Sequence, residues 1–182
     1  MGIRRIKGSW LGWTVLGLSA AAAAQSGQPV TAMNQAAPAA APAENLSITA
    51  GPDEHAVLTQ ATLKDDPHVT VTIFDHHTNA SETYSGVALI DLLAKLGVPH
   101  GAALKSKALA EYVVATGADG YKSVIALGEV DPEFHPGQVI VADAMDGKPL
   151  GPTGPFRLIV TEDERPARGV RNLVSLEVKT AE

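Results

Sequence analysis

This chain has no redox thiol and no thiolate metal ligand, because its 182 residues include no cysteine. Arg165, Arg168 and Arg171 recur at every third position and form the most concentrated positive charge in the acidic stretch 45–182. A guanidinium fork matches planar pairs of oxygens, so the cluster suits an anion or a ring carbonyl. Its plainer reading is surface balance against Glu162, Asp163 and Glu164, since exposed ion pairs contribute little. His76 and His77, with His68, Asp75 or Glu82, offer donors of the kind zinc or copper accepts. Consecutive strand residues face opposite ways, so chelation by this pair requires a loop, and a solvated or cleft-rim histidine pair is the blander account. Asp119-Gly120-Tyr121 and Asp146-Gly147-Lys148 each place Asp-Gly between apolar runs, a spacing that fits hairpin loops whose glycine takes positive φ. No Gly-x-Gly-x-x-Gly, Walker loop, His-Glu-x-x-His or Gly-x-Ser-x-Gly occurs, so nucleotide binding, zinc peptidase and serine hydrolase chemistry have no local signature.

The elements that must position these residues begin after two N-terminal stretches of different character. Arg4, Arg5 and Lys7, an apolar run over 10–18, and the small residues 20–24 with Ala22 and Ala24 in the A-x-A positions have the form of an export signal. Residues 1–24 are therefore expected to be a signal peptide, with a mature start near Gln25 and a periplasmic or secreted location. From 25 to 44 the chain is mostly Ala, Pro, Gln, Ser and Gly, too poor in large apolar side chains to offset the entropy of ordering, and reads as a flexible tether. Residues 45–182 remain as one domain, long enough to bury a core. Removing residues 1–24, which carry three basic and no acidic side chains, takes the net charge from −6 to −9. Nucleic acid is an unsuitable partner for that charge.

Within the domain, residues 69–74 alternate Val69, Val71 and Ile73 against Thr70, Thr72 and Phe74, the period of a strand with two different faces. A shorter strand is expected over 46–49. Val87, Leu89, Ile90, Leu92, Leu93 and Leu96 give an apolar stripe at helical spacing, which predicts a helix over 86–96 with Ser85 as cap and Gly97 as stop. Further strands are expected over 109–116, 122–127, 139–142, 156–161 and 170–179. If the last begins at Arg168, then Arg168 and Arg171 share a pocket only through a bulge at Gly169; otherwise Val170, Asn172, Val174 and Leu176 make the core face. The sum is a mixed α/β (α+β) domain, mostly strand.

The order of motifs carries more than any one of them. Tyr84-Ser85-Gly86-Val87-Ala88-Leu89-Ile90-Asp91-Leu92-Leu93 is followed by Ala118-Asp119-Gly120-Tyr121 and by Asp146-Gly147-Lys148-Pro149-Leu150. Then come Gly154-Pro155-Phe156-Arg157-Leu158-Ile159-Val160 and Arg165-Pro166-Ala167-Arg168-Gly169-Val170-Arg171. Over residues 45–178 the chain resembles the molybdopterin-binding domain of the sulfite oxidase family. The resemblance implies that family's fold, with a mainly β core and few helices. It also implies a metal held by a cysteine thiolate after the strand corresponding to 69–74, where this chain has Phe74-Asp75-His76-His77-Thr78-Asn79. A soft thiolate is not replaced in kind by imidazole or carboxylate, so no molybdenum is expected and the enzyme reading is weakened.

In size, export signal and motif order the chain is similar to cysteine-less exported members regarded as binders of free pterins or as sensory partners. That likeness implies a non-enzymatic, ligand-binding domain taking a pterin-like small molecule and signalling to a partner, such as the periplasmic domain of a membrane signalling protein. A flat polar heterocycle needs a platform and a few orienting groups. Phe74, Tyr84 and Tyr121 are the candidate platforms; Asp75, Asp119 and Glu129 are candidate acceptors for an amino-pyrimidinone edge. His76 and Asn79 from the same stretch, and Arg165, Arg168 and Arg171, complete the expected site. The alternative is a residual oxidoreductase or metal protein of the same family using His76 and His77.

Overall fold

The computed structural model describes residues 44–76 and 78–181. The expected signal peptide, the expected tether apart from Glu44, and His77 lie outside the described residues. In chain order the elements are β1 (Asn45–Thr49), β2 (His55–Thr59), α1 (Gln60–Lys64), β3 (Val69–Asp75), β4 (Ala80–Ala88), α2 (Leu89–Ala94), β5 (Glu111–Gly117), β6 (Lys122–Ala126), α3 (Leu127–Val130), β7 (Val139–Met145), β8 (Lys148–Pro149), β9 (Arg157–Val160) and β10 (Leu173–Thr180). A 3₁₀ turn over Pro166–Arg168 lies between the last two strands.

Two five-stranded sheets result. The first runs β2-β1-β10-β5-β6; the second runs β3-β4-β7-β8, with β9 also paired to β7. Among the described residues only β1 and β10 pair in parallel, so the two described ends are joined in one sheet, and the other strand pairs are antiparallel. Leu46, Ile48, Val113, Ala115, Ile125 and Leu176 face a main core shared with Leu89, Leu92 and Leu93 of α2. This is the mainly β, α+β architecture the motif order implies, with few and short helices.

In the second sheet, β9 and the first five residues of β7 are buried on both faces, whereas β3 alternates between buried and exposed positions. Along β7, Val139 and Val141 enter the main core, whereas Ile140 and Ala142 join Val71, Tyr84, Leu150 and Ile159 in a second cluster. On β9, Leu158 and Val160 face the main core and Ile159 the second cluster. Alternation therefore sets Arg157 on the Ile159 face, beside Tyr84.

Two expectations from the sequence are corrected. The helix predicted over 86–96 is confined to Leu89–Ala94, and Ser85 is not a cap: it lies in β4, opposite Thr70 of β3 and Ala144 of β7. Strand pairing takes residues 86–88 because Gly86 lets β7 approach closely; a Cβ there would stand 2.2 Å from the Val141 carbonyl oxygen. The last strand begins at Leu173, after the 3₁₀ turn and an isolated Leu158–Val170 bridge. Its predicted core face also changes. Val170, Leu173 and Leu176 are fully buried and Val174 is not, because the register against β5 shifts between Leu173 and Ser175 and turns the strand over.

Candidate functional site

A cleft of about 1080 Å³ opens where the ends of the two sheets meet. From the second sheet, Asp75 and His76 at the end of β3 and Arg157 at the start of β9 line it. Asp119 and Tyr121 of the β5–β6 turn come from the first sheet. Glu164, Arg165, Pro166, Ala167, Gly169 and Arg171, between β9 and β10, make the remaining wall.

The β5–β6 turn is built as its Asp-Gly pair predicts. Gly120 takes φ +83°, and the Tyr121 amide donates to Asp119 Oδ1 at 2.9 Å. One carboxylate oxygen of Asp119 is thus spent on the turn, and the other makes no hydrogen bond to described residues. The Tyr121 hydroxyl donates to the Ala167 carbonyl, so its ring stands as a wall joined to the opposite segment.

Arg157 is the residue that sequence reasoning missed. It is 8 % exposed, its Nη1 donates to the Tyr84 hydroxyl, and its guanidinium carbon lies over the Tyr84 ring at 4.9 Å from the centroid. Tyr84 is fully buried and donates in turn to Glu82 Oε2 at 2.6 Å. Burial first, then the hydrogen bond to Glu82, push the Tyr84 phenol far above its ordinary pKa, against the opposing pull of Arg157 and Arg171. Arg157 Nε is buried with no partner. Among the described residues, no ion pair forms on Arg157, Arg165 or Arg171. A buried donor without a partner costs about 1–3 kcal/mol, and a charged one more, so this end of the cleft favours an anion.

The arginine cluster divides by role. Arg168 does not line the cleft: its Nε and Nη2 bond Asp163, and its Nη1 reaches both oxygens of Glu129 at 2.9 and 3.0 Å. The hydrogen bonds to Asp163 above all raise its pKa further above the usual arginine value. Arg165 and Arg171 keep their charge for the cleft.

Six of the sequence-derived candidates therefore meet there: Asp75, His76, Asp119, Tyr121, Arg165 and Arg171. The others lie elsewhere. Phe74 is 46 % exposed, packed edge-on to His76 at 4.9 Å. Asn79 occupies the β3–β4 hairpin at φ 54°. Tyr84 supports Arg157 from the core, and Glu129 binds Arg168 while accepting from the Ala126 amide at the start of α3. Arg157 had one sequence signal, a charged residue inside the otherwise apolar run 156–160. Glu164 had none that separated it from its acidic neighbours.

No group of three His, Asp or Glu side chains suited to a metal ion forms among the described residues. His68 is engaged by Asp143 at 3.3 Å and by the Asp66 carbonyl at 2.8 Å.

Comparison with known proteins agrees with this fold. No curated protein sequence matches the chain. Solved structures do, among them the sulfane dehydrogenase SoxCD from Paracoccus pantotrophus, at 21 % identity and a TM-score of 0.58, covering 76 % of this chain and 39 % of that one. The chain thus spans well under half of that protein, and the likeness is one of fold. The model of the oxidoreductase molybdopterin binding domain matches residues 37–182. This chain belongs to the oxidoreductase molybdopterin binding domain family.

Proposed function

We propose that the domain binds a pterin-type heterocycle carrying an anionic group, and that it works as an exported, non-enzymatic component which passes the binding event to a partner protein. The single observation that carries the reading is Arg157: a buried guanidinium lining the cleft, with an orphaned Nε and no carboxylate paired to it among the described residues. Asp75 and Asp119 supply acceptors for the N–H edge of such a ring, and Tyr121 supplies a flat neighbour. Arg165 and Arg171 add charge at the anionic end.

The family implies molybdopterin, and its two parts fit unequally. The pterin part suits the cleft, with guanidinium groups for its anionic tail and carboxylates for its ring edge. When bound, such a group supplies the ring and charge that this cleft is lined to hold. The molybdenum part does not fit, because the donor set here has only oxygen and nitrogen atoms where the family places a thiolate.

Family membership favours a second reading, in which the domain serves oxidoreductase chemistry with a metal at His76 and the neighbouring His77. Native and denaturing mass spectrometry of the purified exported protein, with elemental analysis, separates the two. A released pterin-like molecule without stoichiometric metal supports the first. Near one metal per chain, lost on changing His76 and His77 to Ala, supports the second. The same spectra report whether the mature chain starts near Gln25.

A further inference from the structure

The segment 161–169 supplies the cleft with Glu164, Arg165, Pro166, Ala167 and Gly169, yet only the short Pro166–Arg168 turn within it is regular. Something must hold its shape. From the first sheet, the Tyr121 hydroxyl donates to the Ala167 carbonyl, and Ser123 Oγ of β6 donates to the Arg168 carbonyl at 2.9 Å. On the outer side the Arg168 side chain turns away from the cleft and bonds Asp163, within the same segment, and Glu129 of α3. The fork thus closes the segment on itself and fastens it to the first sheet's neighbouring helix. We propose that Arg168 is a positioning residue: its ion pairs hold 161–169 as a preformed wall, and ligand affinity depends on them although Arg168 lines no part of the cleft. This inference rests on the ligand-binding reading of the cleft.

A single exposed ion pair would not suffice, because such pairs contribute little. Here one guanidinium serves two carboxylates through both of its edges, the arrangement in which fork geometry adds fixed orientation to charge. The Asp163 side chain is 15 % exposed and that of Arg168 32 %, so the pair is partly shielded from salt. A wall ordered before binding saves the ligand the cost of ordering it, and that saving appears as affinity.

The test uses the mature protein and pterin-6-carboxylate as probe, by isothermal titration, alongside amide hydrogen exchange of the unliganded protein. Arg168→Met is expected to bind about tenfold more weakly than wild type. The Ala167 and Gly169 amides should exchange faster while those of β7 stay protected. Arg168→Lys, which keeps the charge and loses the fork, should recover part of the affinity. Should Arg168→Met fail to fold, Glu129→Gln removes one of the two partners and should weaken binding about threefold. Unchanged affinity in Arg168→Met, or in Glu129→Gln where that variant stands in, overturns this inference and leaves the ligand reading intact. A wild-type protein that gives no heat with the probe overturns both.

Discussion

The Arg157 guanidinium lies over the Tyr84 ring at 4.9 Å and donates to the same residue's hydroxyl, which itself donates to Glu82. A charge at the cleft is thereby supported by a core side chain, and through that side chain's phenol it is linked to the Glu82 carboxylate. The Glu82 carboxylate is engaged by the phenol and does not cancel the guanidinium, which keeps its charge for whatever enters.

Replacing Arg157 separates the roles of stability and binding. A buried charge without a direct counter-ion is often exchanged for an apolar side chain at no cost. Arg157→Met is therefore expected to keep or raise the melting temperature while weakening an anionic pterin by at least about tenfold. Scanning calorimetry and titration on the same sample check both. A large loss of melting temperature would assign Arg157 to the fold instead.

The Tyr84 phenol gives a pH signature. Its folded pKa is raised from the ordinary 10.0, chiefly by burial, so the folded state holds the proton more tightly than the unfolded chain. The resulting stability is fully present below about pH 10 and is lost as pH rises beyond it, with a slope of up to about 1.4 kcal/mol per pH unit. Tyr84→Phe should remove this part of the alkaline loss, measured by urea denaturation at pH 9 to 11. It should also cost about 1 kcal/mol at neutral pH through the lost hydroxyl.

Much of the fold was legible because its strands are marked by apolar runs ended by Gly, Pro or Asp. The turn at Asp119-Gly120-Tyr121 follows from turn chemistry read locally, whereas Asp75 and His76 were candidates because they stand where the resembled family carries its thiolate. The helix over 86–96 was overextended because Val87 satisfies a helical stripe and a strand face equally well, and only the tertiary approach of β7 to Gly86 decides between them. Arg157 was hidden for a related reason. In a strand buried on both faces, hydrophobic periodicity does not say which side a residue takes. The two fates of Arg168 and Arg171 depend on the 3₁₀ turn Pro166–Arg168, which contains the one and precedes the other, and which spacing alone does not reveal.

Asp119 and Tyr121 carry both a turn and a wall, so their variants should differ in kind. Asp119→Ala loses the bond to the Tyr121 amide as well as an acceptor, and should weaken ligand binding by about 1–3 kcal/mol with a small loss of stability. Tyr121→Phe keeps the ring and loses only the bond to Ala167, and should bind more tightly than Tyr121→Ala. Equal affinities in the two Tyr121 variants would show that the ring contributes nothing to the ligand.

Gly86 should tolerate no side chain. A Cβ would meet the Val141 carbonyl at 2.2 Å and the Ala142 Cα at 2.5 Å, contacts with backbone that cannot rotate away. Gly86→Ala is expected to destabilise the domain by about 1–3 kcal/mol or more, read from urea denaturation.

The central claim is that this cleft takes a pterin-type ring with an anionic group. Isothermal titration of the mature protein against a small panel of pterins, with and without a carboxylate or phosphate substituent, tests it most directly. The account predicts saturable binding of the anionic members, weakened by salt and weakened further in Arg157→Met. Heats indistinguishable from dilution for every member at high protein concentration, or anionic and neutral pterins bound alike by wild type and Arg157→Met, would contradict it.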